Sequence, residues 1–134
     1  FLKSLADIAP TYIILGNHDG NLKNEHRQDA ITPIAKALGH PQLHLLKNAG
    51  EVVLDDEWAF NVLSVFDEDN WVKPTDPDRI NVALYHGSVS GVKTDTGWVM
   101  THGDHPIEVF EGHDYVFLGD IHKTNQILDD EGDR

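Results

Sequence analysis

Residues 11–19 read TYIILGNHD, an apolar run that ends in a glycine followed by three polar residues. Because Thr11 to Leu15 is bounded by Pro10 and Gly16, this run predicts a buried strand. A short helix is predicted ahead of it, ending at about Ala9 because proline cannot continue a helix. The polar residues therefore follow the end of a strand, where α/β sheets place their functional groups.

Two later apolar runs repeat this arrangement. Residues 80–85 lead into His86-Gly87, and residues 115–118 lead into Gly119-Asp120-Ile121-His122. Three separate strands thus deliver polar side chains at their carboxyl ends, and we expect these ends to lie close together. Each of the three turns contains side chains that can bind a metal ion.

The intervening sequence completes an α/β pattern within one domain, residues 1–134. Residues 24–38 predict a helix that ends at Gly39 and has Pro33 as a kink or a second start. The acidic, proline-containing stretch 67–79 predicts a surface loop. The remaining strand-like runs, the first three of which predict an antiparallel meander, are residues 43–46, 51–54, 59–66 and 126–128.

The amino-acid composition predicts a globular domain without a membrane-spanning helix. The chain has 134 residues of which 40% are hydrophobic, which suffices for a real core. Its apolar runs are far shorter than the ~20 residues of a membrane-spanning helix, so no membrane partner is expected. No secretory signal is visible at the start, and a cytoplasmic location is the expectation.

Charge and cysteine content constrain the ligands. The chain contains no cysteine, so a metal would be held by imidazole, carboxylate or amide groups, which favours manganese, iron or magnesium over structural zinc. The formal charge is −13, from 10 Lys and Arg against 23 Asp and Glu. This charge argues against a nucleic-acid module with a broad basic face, so a DNA substrate would need other parts to hold it.

The three strand-end motifs resemble those of a known enzyme superfamily. Gly16-Asn17-His18-Asp19 is similar to the G-N-H-D/E signature of calcineurin-like metallophosphoesterases, and His86-Gly87 and residues 119–122 resemble two later motifs in the same order. Residues 114–123, with the long interval after His86, are most similar to SbcD-type (meiotic-recombination-type) DNA repair nucleases, phage-like ones especially. The resemblance covers nearly the whole chain.

The resemblance implies a set of ligands. Asn17 and His86 would bind the second metal, and His122 would bind the first. Asp120 stands where the superfamily usually has histidine, but a carboxylate can ligate manganese or magnesium, so Asp120 is expected as another second-metal ligand.

The resemblance also implies two catalytic residues, His18 and Asp19. His18 would not bind metal but would lie beside the scissile phosphate, stabilising charge or protonating the leaving oxygen, because imidazole titrates near ~6.5. Asp19 is expected to orient His18 through a hydrogen bond.

Half of the implied metal site lies outside this sequence. The superfamily supplies an Asp-x-His pair and a Gly-Asp-x-x-Asp upstream, yet only 15 residues precede Gly16 and none match. We expect the chain to open inside a helix at Phe1 and to end within a hairpin at residues 129–134. We therefore expect a partial metallophosphoesterase domain, a two-sheet sandwich flanked by helices without its first strands, which is inactive alone.

The implied activity is hydrolysis of DNA phosphodiester bonds with two divalent metals, manganese first, by an exonuclease or endonuclease of double-strand-break repair or recombination. An SbcC-type ATPase partner is implied by the resemblance, and a homodimer is possible. Two alternatives remain open: a phosphoesterase acting on nucleotides or small phosphodiesters, and a non-catalytic globular domain with incidental histidines.

Other histidines and the tryptophans are given structural roles. The tryptophans, Trp58, Trp71 and Trp98, are expected in the core or at its rim rather than as base-stacking platforms, because a basic groove is lacking. Exposed loop positions are expected for His26, His40, His44, His102, His105 and His113.

Overall fold

The chain was analysed as a computed structural model, which describes residues 1–24, 27–94 and 96–121. The described part is α/β, as predicted. Its helices and strands are α1 (Leu2–Ile8), β1 (Thr11–Ile14), α2 (Ile31–Leu38), β2 (Leu43–Leu46), β3 (Gly50–Val53), β4 (Trp58–Leu63), β5 (Ile80–His86) and β6 (Tyr115–Gly119). Short 3-10 helices lie at Glu68–Asn70 and Ile107–Phe110. The strand predicted at residues 126–128 lies outside the described residues.

The strands form two sheets. β1 and β2 pair in parallel, and the other sheet has the order β3-β4-β5-β6, in which β3 and β4 are antiparallel and the remaining pairs are parallel. The predicted antiparallel meander is therefore wrong for β2, which does not lie in the same sheet as β3 and β4. β2 pairs with β1 because the connection through α2 is long enough for a parallel crossover.

The two helices differ in how well the sequence predicted them. α1 ends at Ile8, just ahead of Pro10, as expected. α2 begins only at Ile31 instead of near residue 24, and it ends at Gly39, whose φ of 54° is left-handed. Pro33 lies in the first turn, where a missing backbone N–H is tolerated.

The core lies on one face of the four-stranded sheet. Leu63 of β4 and Ala83 and Tyr85 of β5 pack there against the loop residues Val89 and Phe110, all of them buried. Burial of this apolar surface favours folding by roughly 25 cal/mol per Å². The loop between β5 and β6 thus closes one side of the sheet.

The opposite face of this sheet is covered only in part. Tyr12 of β1 packs edge-on against Phe60 of β4, with ring centroids 5.3 Å apart, and Val82 of β5 is only 2% exposed. On the neighbouring strand β6, however, Tyr115 pairs with Val82 in register yet is 58% exposed, and Phe117 is 63% exposed. The small β1-β2 sheet leaves the β6 part of this apolar face open.

Several side-chain predictions need correction. His105 is not an exposed loop residue, because it lies against Trp71 and Tyr85 with 19% of its side chain exposed. His113 bonds to the Asn61 amide and to a backbone carbonyl. His40, with 16% of its side chain exposed, contacts Asp7. These histidines fill gaps beside the sheets, a role that local sequence does not reveal.

The tryptophans also differ from one another in burial. Trp71 packs against the core as expected, and its indole N–H donates to the Ser64 carbonyl at 2.8 Å. Trp98 is 56% exposed and so is a surface residue, while Trp58 lies at the rim. His26 is outside the described residues.

No helix in the described ranges has both the length and the apolar character needed to cross a bilayer.

Candidate functional site

The carboxyl ends of β1, β5 and β6 lie together, although β1 belongs to the other sheet. β5 and β6 pair so that His86 stands opposite Gly119, and β1 contacts β5. A Cβ atom at Gly16 would lie only 2.9 Å from Cε1 and Nε2 of His86, and one at Gly119 would also collide with that ring. The two glycines therefore leave the space that the His86 imidazole occupies.

Asp120 follows β6 directly and faces the same imidazole. The distance from His86 Nε2 to Asp120 Oδ1 is 3.8 Å, and the two side chains are 29% and 30% exposed. Asp120 adopts a left-handed backbone with φ of 73°, which aspartate tolerates better than most non-glycine residues. This turn places a carboxylate beside the histidine at the sheet edge.

Asn17 follows β1 and contributes a buried amide. Its Oδ1 atom is shielded from solvent and accepts no hydrogen bond from the described residues. A buried acceptor without a partner costs free energy, typically ~1–3 kcal/mol. A cation or an external donor at this oxygen would remove that cost, and an amide oxygen is a normal ligand for a hard cation.

Asp19 stabilises the loop after β1. Its Oδ2 atom accepts the Gly16 N–H at 2.7 Å, and its own carbonyl accepts the Ala30 N–H at 2.8 Å. These contacts fix the backbone of the loop that carries Asn17 and His18. His18 itself is exposed, and a hydrogen bond from Asp19 to its ring stays a prediction.

The remaining sequence-predicted ligand, His122, lies outside the described residues. Within the described ranges, no three His, Asp or Glu side chains form a group that could hold a metal. What the described strand ends offer instead is one amide oxygen, one imidazole and one carboxylate, from Asn17, His86 and Asp120. That mixed donor set suits manganese or magnesium better than a soft thiolate-seeking ion.

Sequence reasoning missed a buried carboxylate behind this loop. Asp29, 4% exposed, accepts the N–H groups of Ile31 and Thr32, the Thr32 hydroxyl and the Lys47 ammonium. Because the backbone of Ala30 is already helical, Asp29 acts as the N-cap of α2. An Asp just before an apolar helical run is the signal that could have placed this helix start.

The pKa of Asp29 reflects this environment. Burial acts to raise the pKa, but the hydrogen bonds from Lys47 and from the Thr32 hydroxyl and amide lower the pKa well below its usual range. Asp29 is therefore a charged structural anchor.

Sequence reasoning also missed a cavity beside the loop. A volume of about 520 Å³ is bounded on one side by Asn17 and Asp19 and on another by Lys23 and Arg27. A second volume of about 260 Å³ shares Arg27 with it and reaches Lys47. Asn17 thus borders a space that is lined by both cationic and acidic side chains.

Comparison with known proteins gives one informative match. No protein-family model matches the chain, and no solved structure matches it. The chain is 40% identical to an uncharacterized protein of Acanthamoeba polyphaga mimivirus, in a match that covers 92% of this chain and 10% of the viral protein. The chain therefore spans about a tenth of the length of that curated relative.

Proposed function

We propose that this chain is part of a two-metal phosphodiesterase of the calcineurin-like superfamily, of the SbcD type, that acts on DNA. The observation that carries the proposal is the meeting of three strand ends from two sheets. His86 Nε2 and Asp120 Oδ1 lie 3.8 Å apart, and Gly16, the residue before Asn17, lies against the His86 ring. These are positions at which the sequence resembles the superfamily's metal motifs.

We propose that Asn17, His86 and Asp120 hold one divalent cation. The unsatisfied Oδ1 atom of Asn17 would gain a partner, and the Asp120 carboxylate beside His86 would offset positive charge. Bound divalent cations would supply Lewis-acid polarisation of the phosphodiester. His122 is proposed as a ligand of the other cation, with further ligands from sequence outside this chain.

His18 is proposed to act on the leaving group. It is exposed on the loop whose backbone Asp19 holds, one residue after Asn17. An imidazole side chain can donate a proton to a departing oxygen. The Asp19 contact with Gly16 keeps the loop in one conformation, so His18 would be presented at a fixed position.

The open face of β6 supports the finer fold proposal, a two-sheet sandwich with further strands. Tyr115 and Phe117 are more than half exposed on the face that the β1-β2 sheet covers elsewhere. Apolar surface of this kind normally packs against another element. We propose that further strands of a longer protein extend the small sheet over β6 and bring the missing metal ligands.

The partners are proposed on the resemblance alone. They are a DNA substrate, an SbcC-type ATPase and a second copy of the same protein, and a cytoplasmic location stays a prediction.

Calorimetric titration of manganese tests the site in this chain. Wild type should bind one ion, and Asn17→Ala and His86→Ala should each weaken binding at least tenfold because each removes a ligand. His102→Ala is the matched control, since His102 is exposed and distant in sequence from the strand ends. Equal manganese affinity in all four proteins would overturn the proposed ligands, and absence of binding to wild type would overturn a preformed half-site.

An experiment that tests the substrate class requires a longer protein that contains this domain. With manganese, a protein carrying this domain should cleave linear DNA, and the His18→Ala variant should lose most activity while still binding the metal. Activity on mononucleotides without activity on DNA would assign the site to small phosphodiesters instead.

A further inference from the structure

The cavity beside the Asn17–Asp19 loop has an unusual charge distribution. The chain carries 23 acidic residues against 10 Lys and Arg, so most surfaces are expected to be acidic. Here, however, Lys23 and Arg27 line the 520 Å³ volume that begins at Asn17. Two cations beside a candidate metal ligand would suit an anion that spans both.

The carboxylates that border the same space are already engaged by protein donors. Asp19 accepts the Gly16 N–H, and Asp29 accepts α2 amides and the Lys47 ammonium. Asp67, which lines the adjoining 260 Å³ volume, accepts the Ala49 N–H. Their negative charge is therefore directed into the protein and partly offset there.

Lys23 and Arg27, by contrast, are exposed, and neither is within ion-pair distance of a carboxylate among residues 1–24, 27–94 and 96–121. Arginine can present two parallel N–H groups to a phosphate, and lysine adds a point charge. Together they match the oxygens of a phosphodiester group.

We propose that Lys23 and Arg27 form a phosphate subsite that holds the backbone of a nucleic-acid strand beside the strand-end metal site. This proposal rests on the proposed function, and it identifies the side chains by which an acidic chain could hold DNA.

Binding of a labelled single-stranded oligothymidylate to this chain, followed by fluorescence anisotropy at low salt with EDTA present, tests the subsite without metal. The Lys23→Gln/Arg27→Gln double variant should bind at least tenfold more weakly than wild type. Its salt slope should fall by roughly 1.4, about 0.7 for each lost phosphate contact on a single strand.

The matched control is Lys3→Gln/Lys73→Gln, which makes the same change in net charge. Lys3 pairs with Asp7 and Lys73 with Glu111 at exposed positions away from the cavity. This control should change affinity less than twofold. An equal loss in both double variants would show that only net charge matters and would overturn the subsite, as would unchanged binding by Lys23→Gln/Arg27→Gln.

Two further measurements identify the source of the phosphate and separate this proposal from the proposed function. Inorganic phosphate should compete at least tenfold more weakly than the unlabelled oligonucleotide, and equal competition would overturn the strand assignment in favour of free phosphate. Manganese binding by wild type is the second measurement. Oligonucleotide binding in EDTA without any manganese binding would refute the metal site alone, and manganese binding without oligonucleotide binding would refute the subsite alone.

Discussion

Replacing Asp29 with alanine would remove a buried carboxylate that several protein donors share. The Asp29 Oδ1 atom accepts the N–H groups of Ile31 and Thr32 at 3.0 and 2.6 Å. Its Oδ2 atom accepts the Thr32 hydroxyl at 2.7 Å and the Lys47 ammonium at 2.8 Å. The substitution therefore removes the cap of α2 and the link from that helix to the residue after β2.

The expected loss of unfolding free energy is the sum of three effects. Loss of an N-cap typically costs ~1 kcal/mol. Leaving the Thr32 hydroxyl without a partner in a part-buried place adds about 1–2 kcal/mol. The Lys47 side chain is 43% exposed and can be hydrated, so the lost ion pair adds at most ~1 kcal/mol. We expect Asp29→Ala to lower the free energy of unfolding by about 2–4 kcal/mol, or roughly 8–16 °C in Tm for a chain of this size.

Urea and thermal denaturation followed by circular dichroism would measure this loss. The matched control is Asp56→Ala, which makes the same charge change at an exposed turn position and should alter the free energy of unfolding by less than ~0.5 kcal/mol. A loss below ~1 kcal/mol for Asp29→Ala, or an equal loss in the control, would refute the reasoning from these contacts.

The same carboxylate predicts a pH dependence. Because the pKa of Asp29 is lower in the folded than in the unfolded chain, its stabilising effect is complete above the unfolded value of ~3.9 and is lost as pH falls toward the folded value. The difference in unfolding free energy between wild type and Asp29→Asn should therefore be constant from about pH 5 to 8 and shrink below about pH 4. A difference that grows on acidification would contradict the assigned direction.

Three further predictions concern the strand ends and the open face. Gly16→Ala should displace the His86 ring, since the new Cβ would lie 2.9 Å from it, and calorimetry should show at least tenfold weaker manganese binding with the circular dichroism spectrum unchanged. Asp120→Gly should be about 1 kcal/mol more stable to urea than Asp120→Ala, because only glycine adopts a φ of 73° without cost; equal stabilities would contradict this. Replacing Tyr115 and Phe117 together by threonine should leave the free energy of unfolding within ~1 kcal/mol and reduce self-association in sedimentation, because both rings are already exposed; a large loss would mean that they are covered in solution.

The strands that carry the candidate site were predictable from sequence because each is a short apolar run that ends in a polar turn. β1, β5 and β6 lie within one or two residues of their predicted positions. The turn residues after them are polar because the chain must leave the sheet there. Local pattern therefore predicted the strand ends that carry the candidate residues, and the fold brings the ends of all three strands together.

Strand pairing was harder to predict because it depends on contacts that are remote in sequence. Residues 43–46 are followed by Asn48-Ala49-Gly50, which is typical of a hairpin, yet β2 pairs with β1. The turn instead moves the chain from one sheet to the other. The Ser64 hydroxyl donates to the Lys47 carbonyl and Asp67 accepts the Ala49 N–H, and both partners come from beyond β4. No local signal in residues 43–50 contains that information.

The start of α2 and the nearby cavity were missed for a related reason. The apolar spacing from residue 24 onward fits a helix, but the Asp29 side chain caps the backbone at Ile31 and so begins the helix later. The predicted helix of residues 24–38 would include Arg27, whereas the observed helix begins after it. Arg27 and Lys23 instead line a cavity together with Asn17.

The position of the candidate ligands on two different sheets gives the site a structural consequence. Asn17 follows a strand of the small sheet, whereas His86 and Asp120 follow strands of the large one, and the contact at Gly16 is where the two meet. A cation held by all three would connect the sheets directly. Because it would bind only the docked arrangement, it would stabilise that arrangement by about 2.7 kcal/mol at a concentration of 100 times its Kd. Among the described residues the small sheet has two strands and covers only part of the large sheet. A cation that links the two sheets would therefore contribute more to their docking here than in a larger sandwich.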